Sequence, residues 1–262
     1  MSSFLLSILL PISKAFAATW IFIGTSWLNE KAIDFGSGNT TKYASLGDNY
    51  NFLWTDDFTL CAWHYPHSAW ESAVFSRENG STSNGWDLRY TSGNKYQFYS
   101  SGSGATRRIQ VITNNTFSTG TWRHVCLVYS GNQSATGISI VVNGSSEALT
   151  TQFNTSTEDW AQSSINFKIG AWDNLTTYTR SKIDEITIWN DNLTTSEIGE
   201  LISASKPTNP QTTSMWASKN LSYYRMGDLT DTTTTIYDRG ATGGIDMTAT
   251  SLVSGDIVTS VP

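Results

Sequence analysis

The runs FTLCAWHYP at residues 58–66 and WRHVCLVYSG at residues 122–131 decide the fold of this chain. Both are rich in β-branched and aromatic residues and both end in turn-forming residues, which is typical of buried β-strands. Similar runs recur along the chain between clusters of Ser, Asn and Gly. We predict strands at residues 58–65, 86–90, 95–100, 107–112, 122–129, 138–144, 165–170 and 183–189.

Helical patterning is confined to one short segment, TTSEIGELI at residues 194–202. No helical pattern is long enough to cross between parallel strands, so the sequence favours an all-β antiparallel sandwich over an α/β sheet. The segment SKPTNPQTTS at residues 205–214 holds two of the five prolines and is predicted to be a linker.

The composition excludes one class of partner. The chain has 262 residues, 15% of them charged and 13% aromatic, with a net charge of −6. Its length suits one large β domain or two small ones. An acidic chain without a basic run lacks the positive surface that nucleic acids require, so we expect no nucleic-acid partner.

The N-terminus carries an apolar stretch, FLLSILLPISKAFAATWIFIG at residues 4–24. The small residues AFA, ending at Ala17, resemble a signal-peptide cleavage site, whereas the stretch lacks a basic residue at its start. Residues 1–27 are therefore interpreted as either a retained hydrophobic arm or a signal peptide. We expect contact with a membrane only if this segment is a signal or an anchor.

All cysteines and histidines lie in or beside the two fold-deciding runs, as Cys61, His64, His67, His124 and Cys126. Residues two apart in a strand share a face and residues three apart do not. His124 and Cys126 can therefore share a face, whereas Cys61 and His64 cannot, and at most three ligands converge. That is fewer than a tetrahedral zinc site needs, and apolar surroundings disfavour a reactive thiolate. The spacing alone is compatible with a structural cross-link, with buried thiols, and with a metal or catalytic site.

The order of the longer motifs resembles a known family. KAIDFGSGNTTKYASLG at residues 31–47, FTLCAWHYP, WRHVCLVYSG, the VNG hairpin, FKIGAW at residues 167–172 and SKIDEITIWNDNLTTSEI at residues 181–198 follow one another as in LamG-like, concanavalin A-like jelly rolls. The resemblance to laminin G and pentraxin modules covers residues 28–204. It implies an all-β, two-sheet antiparallel jelly-roll sandwich.

The C-terminal segment, residues 205–262, reads as a linker followed by a strand motif. NLSYYRMGDLTDTTTTIYDRGATGGIDMTA at residues 220–249 is similar to the opening motif of a LamG-like module, yet it follows the domain. Either the module is circularly permuted, or the tail is exchanged with a second copy. The segment also resembles LamG-like modules of bacteriophage virion proteins.

The pentraxin resemblance implies a disulfide between Cys61 and Cys126 and raises the question of calcium. Calcium ligands in such modules come from two rim loops, and the comparable positions here are Glu78, Asn79, Asp173 and Asn174. We treat calcium as the one possible cofactor. A disulfide would indicate an oxidising environment.

The predicted ligand surface is aromatic, and no catalytic residue is predicted. Trp70, Trp172 and Tyr178 beside Asp173 form the expected carbohydrate-binding patch, whereas Trp63, Trp122 and Trp189 are expected in the core. The E-x-D-x-E strand of jelly-roll glucanases does not occur in the sequence, and Asp184 and Glu185 are adjacent and should point to opposite faces.

These observations predict a non-catalytic structural protein of a virion surface, of fibre or decoration type, that binds host glycans. Its expected partners are other virion proteins, copies of itself and glycans. The alternative is a secreted or cell-surface carbohydrate-binding adhesion domain.

Overall fold

The computed structural model describes residues 27–38, 40–79, 84–102, 108–157, 159–160, 164–173, 175 and 177–262. Their strands are β1 (Ala32–Asp34), β2 (Tyr43–Gly47), β3 (Asp57–Pro66), β4 (Ser72–Asn79), β5 (Asn84–Tyr90), β6 (Tyr96–Ser101), β7 (Arg108–Thr113), β8 (Arg123–Ser130), β9 (Ile138–Val142), β10 (Ser145–Ser146), β11 (Leu149–Asn154), β12 (Phe167–Ile169), β13 (Ser181–Trp189), β14 (Ile202–Ser203), β15 (Lys206–Pro207), β16 (Asn220–Tyr224), β17 (Thr235–Ile236), β18 (Met247–Thr250) and β19 (Ile257–Val258). Two short helices are α1 (Thr195–Glu200) and α2 (Trp216–Lys219).

Two antiparallel sheets form the sandwich that the sequence predicts. Sheet A has the order β10-β9-β8-β3-β13-β1-β19, with β16 also paired to β13. Sheet B has the order β11-β7-β6-β5-β4-β12-β2-β18-β17. β8 pairs along its whole length with the long β3 at the centre of sheet A, and Cys61 stands opposite Cys126.

The core between the sheets is strongly aromatic. The Phe58 ring lies 5.7 Å from the Trp86 ring and 6.1 Å from the Trp160 ring, and Trp86 lies 5.3 Å from Phe167. Trp86 and Trp160, which sequence context places beside polar loops, are 0% and 3% exposed. Polar neighbours in the sequence do not show that a residue is exposed, because alternate residues of a strand face opposite sides of a sheet.

Several strands lie outside the ranges predicted from the sequence, and β4 and β11 are the two longest of them. The segment SAVFSREN forms β4, so Glu78 and Asn79 end a strand where a rim loop was expected. The polar residues of this segment suggest a loop, but Arg77 is fully buried and donates to the backbone oxygen of Asn49 at 2.6 Å. The exposed segment LTTQFN forms the edge strand β11.

The C-terminal segment completes both sheets of its own chain. β16 pairs with β13, β18 with β2, and β19 with β1. Tyr224 stands opposite Ile186 and Ile33 opposite Ile183, so β16 and β1 follow one another along the same edge of β13. In the described chain the tail therefore occupies the position that a permuted opening strand would take.

The junction between β1 and β16 is closed by a buried polar cluster at a β-bulge. Glu185 has a positive φ of 47°, and the pairing of β13 with β3 shifts register at this point. Asn29 donates to Asp184 at 2.8 Å, and the Tyr223 hydroxyl donates to Glu185. Burial raises the pKa of Glu185 to about 8. The side chains at this bulge thus bind both Asn29, from the N-terminal part of the chain, and Tyr223, from the C-terminal segment.

Residues 190–219 cover the outer face of sheet A. α1 begins with a capping box between Thr194 and Glu197, and the segment buries Leu193, Ile198 and Met215 against the sheet. The predicted linker at residues 205–214 lies within this cover. Within the part of the chain that the structure describes, no helix has the length and hydropathy needed to cross a membrane.

Candidate functional site

The outer face of sheet B gathers charged side chains from neighbouring strands. Asp87 and Arg89 alternate with the core residues of β5, and the register sets Asp87 opposite Ser76 and Tyr99. Lys168 of β12 also stands opposite Ser76, so it lies on the same face. Charged residues of three adjacent strands, β5, β4 and β12, thus lie on the face of sheet B opposite the core.

A carboxyl pair and an arginine form the centre of this face. Arg89 donates to Asp87 Oδ1 at 2.7 Å and to Glu78 Oε2 at 3.0 Å, so one guanidinium bridges the two carboxyls. The Asp87 and Glu78 side chains are only 0% and 4% exposed. Burial, together with the charge of Asp87, raises the pKa of Glu78 to about 10. Glu78 therefore carries a proton near neutral pH, and the two carboxyls carry one negative charge between them.

Trp172 lies over this charged group. The guanidinium carbon of Arg89 is 4.7 Å from the Trp172 ring centroid and 5.3 Å from that of Tyr99. The Trp172 side chain is half-buried, and its indole nitrogen has no hydrogen-bond partner among the described residues. Stacking on a cation fixes the ring while leaving part of it open to solvent.

The turn after β12 is fixed to β4 through Asp173. Its backbone nitrogen donates to the Glu78 carbonyl at 2.9 Å, and its carboxylate accepts from Lys168 Nζ at 2.5 Å and from Asn166 Nδ2 at 3.2 Å. Tyr178 closes the base of this turn by bridging to Ala171. These contacts fix the position of the Trp172 ring relative to the Arg89 guanidinium.

The predicted ligand surface is brought together only in part. Trp172, Asp173 and Tyr178 share one turn, and Asp173 contacts Glu78. Trp70 is 45% exposed and stacks on a different cation, with the Arg180 guanidinium 3.8 Å from its ring centroid.

The predicted calcium ligands are partly described. Asn79 ends β4 opposite Asn84, whereas Asn174 lies outside the described residues. Arg89 binds the Glu78 carboxyl and Lys168 binds the Asp173 carboxylate, so cations occupy the oxygens that calcium would need. A hard cation would also have to displace the proton of Glu78. The described ligands thus fit calcium poorly, and the function proposed below does not depend on it.

Sequence reasoning missed Asp87, Arg89, Tyr99 and Lys168. A signal was present in WDLRY, residues 86–90, where charged residues alternate with Trp86, Leu88 and Tyr90. Such alternation places charges on the outer face of a sheet whose inner face is the core. Spacing alone could not identify their partners, because these come from other strands.

The cysteines lie on the opposite side of the molecule, on the outer face of sheet A. Cys61 and Cys126 form a disulfide between adjacent strands, with Cα atoms 4.1 Å apart, and both are fully buried. His124 lies against Cys126, and burial lowers its pKa to about 3. The ring is therefore neutral at physiological pH. The bonded cysteines provide no thiolate nucleophile.

The family model of the concanavalin A-like lectin/glucanases superfamily, a laminin G class, matches residues 37–199. The chain belongs to this superfamily. The match covers more than half of the chain and includes Glu78, Asp87, Arg89 and Trp172. No curated protein matches the sequence.

Solved structures of concanavalin A-like domains resemble the fold at low sequence identity. A candidate carbohydrate-binding protein of Bacteroides ovatus is 18% identical with a TM-score of 0.60, over 89% of this chain and 60% of that chain. This chain thus spans 60% of the length of that relative. The CBM40 domain of a Ruminococcus gnavus sialidase, bound to α2,3-sialyllactose, is 13% identical with a TM-score of 0.50, over 67% of this chain and 98% of that domain. A pentraxin of Limulus polyphemus is 16% identical with a TM-score of 0.44, over 69% of this chain and 87% of that one.

Proposed function

We propose that this protein is a non-catalytic glycan-binding module whose site is the outer face of sheet B around Trp172. The observation that carries the proposal is the half-buried Trp172 ring, held on Arg89 beside the polar groups of Asp87, Glu78 and Asp173. A flat aromatic face with a few fixed polar groups suits a ring that has apolar C–H faces and hydroxyl edges. Membership of a lectin superfamily and the likeness to the Bacteroides ovatus protein support it.

The charges at the site favour neutral glycans. The two carboxyls of Glu78 and Asp87 carry one negative charge, which Arg89 balances, and Asp173 is balanced by Lys168. No cation of this group is left without a carboxylate, so an anionic sugar has no free partner here. A hydroxyl-rich neutral glycan can exchange hydrogen bonds without disturbing these pairs.

The spacing of the carboxyls argues against glycoside hydrolysis. Retaining glycosidases hold their two carboxyls about 5 Å apart and inverting enzymes hold them further apart, so that a sugar or a water fits between them. Glu78 and Asp87 are both buried and both bind the guanidinium of Arg89. Two buried carboxyls bridged by a guanidinium leave no room between them for the reacting bond.

Replacing Trp172 by alanine tests the proposed site. A glycan array selects the best neutral ligand, and calorimetric titration then compares the protein with Trp172→Ala. We expect the variant to lose about 2 kcal/mol or more of binding free energy, which is about thirtyfold in affinity, because a central aromatic contact is removed. Adding a chelator to the same titration should leave the affinity unchanged, because the proposed site does not need calcium.

Trp70→Ala is the matched control, because Trp70 is an exposed tryptophan held on another cation. It should bind like the unchanged protein. Unaltered binding by Trp172→Ala, or an array without any glycan signal, would contradict the proposal. A sialylated ligand that binds better than its neutral counterpart would contradict the charge argument alone.

We further propose that the module belongs to a virion surface, as a fibre or decoration protein that contacts other virion proteins or copies of itself. The support is the resemblance of the C-terminal segment to LamG-like modules of phage virion proteins. The alternative is a secreted or cell-surface adhesion domain. Both locations suit the disulfide, since disulfides persist outside reducing compartments.

The intact mass of the protein isolated from its natural source separates these two locations. We expect the full-length mass with both cysteines bonded, as for an assembly protein that keeps its N-terminal arm. A mass that begins at Ala18 would instead assign the protein to secretion. Size-exclusion chromatography of the same sample tests the proposed self-association.

A further inference from the structure

Three soft metal ligands converge on the outer face of sheet A. Cys61 and Cys126 stand opposite each other, and His124 lies diagonal to Cys61 on the neighbouring strand. Their sulfur and ring-nitrogen atoms all lie within 4.8 Å of one another, and all three residues are buried. Their rigid strands place these ligands without the help of a loop.

The spacing is close to that of a tetrahedral metal site. With Zn–S bonds of about 2.3 Å and Zn–N bonds of about 2.0 Å, the sulfurs stand about 3.8 Å apart and each sulfur about 3.5 Å from the nitrogen. His124 Nδ1 is already 3.7 Å from Cys126 Sγ. The two sulfurs must separate to reach this arrangement, which side-chain rotation allows once their bond is broken.

A small cavity adjoins His124 and supplies a second, independent observation. It has a volume of about 10 Å³ and is lined by His124, Glu185, Thr187 and Thr208, among others. Such a space holds about one water molecule. Glu185 is 4% exposed, and its Oε1 atom has no hydrogen-bond partner among the described residues, with Arg225 Nε 3.6 Å away. A water in the cavity can therefore bond both to Glu185 and to a metal ion beside His124.

We propose that reduction of the Cys61–Cys126 disulfide opens a binding site for one thiophilic divalent cation, such as Zn²⁺. The ligands are the two cysteine sulfurs, a ring nitrogen of His124 and a water held by Glu185. A dithiol reductant supplies two electrons and two protons, which give two cysteine thiols, and is itself oxidised to a disulfide. The metal ion then displaces the two thiol protons, so two protons leave for each ion bound.

The site works as an alternative to the disulfide. In the oxidised chain both sulfurs are bonded to each other and neither can act as a thiolate ligand. In the reduced chain the ion bridges β3 and β8 at the same place and neutralises the two thiolates. A link between the central strands of sheet A therefore persists in both redox states.

Titration with Co²⁺ under anaerobic conditions tests this inference on the full-length chain. The protein is reduced with a phosphine and compared with the oxidised protein. We expect one Co²⁺ per reduced chain, with the near-ultraviolet charge-transfer band of thiolate–cobalt bonds and the intense visible bands of a tetrahedral ion. The oxidised chain should show neither. Zn²⁺ should displace the bound Co²⁺.

His124→Gln and His67→Gln form the matched pair of variants. His124→Gln should weaken Co²⁺ binding by about tenfold or more and alter the visible bands, since one nitrogen ligand is lost. His67 lies just beyond the end of β3 and pairs with Asp34 of β1, so His67→Gln should bind like the unchanged chain. Near-ultraviolet circular dichroism reports whether each reduced sample is folded. A reduced chain that unfolds, that binds no Co²⁺, or that binds it equally in His124→Gln would overturn the inference.

Discussion

Deleting residues 220–262 is expected to abolish cooperative folding of the sandwich. The deletion removes β16 from sheet A, β18 from sheet B and β19 from beside β1. It also uncovers the core, because several buried residues belong to the segment, namely Tyr224, Met226, Ile236, Met247, Ala249 and Leu252. Exposed edges and apolar faces would then aggregate. Thermal unfolding of residues 1–219, followed by near-ultraviolet circular dichroism, measures this result.

A point substitution tests whether the packing of the C-terminal segment against the core stabilises the sandwich. Tyr224 is fully buried, and its hydroxyl donates to the Ile245 carbonyl at 2.6 Å. Tyr224→Ala should cost about 3–5 kcal/mol of unfolding free energy, as large-to-small changes of aromatic core residues do. Tyr237, 37% exposed in the same segment, is the control and should lose less than about 1 kcal/mol on the same change. A cooperative transition in the deleted chain would contradict the permuted arrangement.

Arg89→Met is expected to destabilise the protein by about 3–5 kcal/mol at pH 7. Asp87 and Glu78 are buried, and Arg89 donates to both. Removing one partner of a buried ion pair leaves an uncompensated charge, which costs about this much. Methionine preserves most of the apolar stem between Tyr99 and Trp172, so the loss reports charge more than packing. Equilibrium unfolding in urea at pH 7 measures this loss of unfolding free energy.

The double variant Arg89→Met/Asp87→Asn serves as the control for this prediction. Asparagine removes the charge left behind while keeping a polar side chain of similar shape. The double variant should therefore recover most of the stability that Arg89→Met loses. If Arg89→Met alone unfolds within about 1 kcal/mol of the unchanged protein, Arg89 does not neutralise the buried carboxyls.

The fold could be predicted from the sequence because its strands carry strong local signals. The runs that became β3, β8 and β13 combine apolar alternation with turn residues at their ends, and these strands form the centre of sheet A. The edge strand β11 gave no such signal because its residues are exposed. β4 was missed because Arg77 and Glu78 are buried by partners that only the tertiary structure provides.

The candidate site could be predicted only through Trp172, Asp173, Tyr178 and Glu78. A loop tryptophan beside an aspartate is visible in one stretch of sequence. The contacts that hold it depend on strand register, because Arg89 and Asp87 come from β5 and Lys168 from β12. Trp70 and Trp172 both lie in or beside polar loops in the sequence, yet the ring of Trp70 stacks on Arg180. Local sequence does not tell which of two cations will lie beneath a given ring.

A crystal structure of the protein with the best neutral glycan from the array tests the central claim most directly. We expect a sugar ring stacked on the open face of Trp172, with hydroxyls within hydrogen-bond distance of the partly exposed Asp173 side chain. The carboxyl pair and Arg89 should keep their contacts. A sugar bound elsewhere, such as beside Trp70 or on the segment that covers sheet A, would contradict the account.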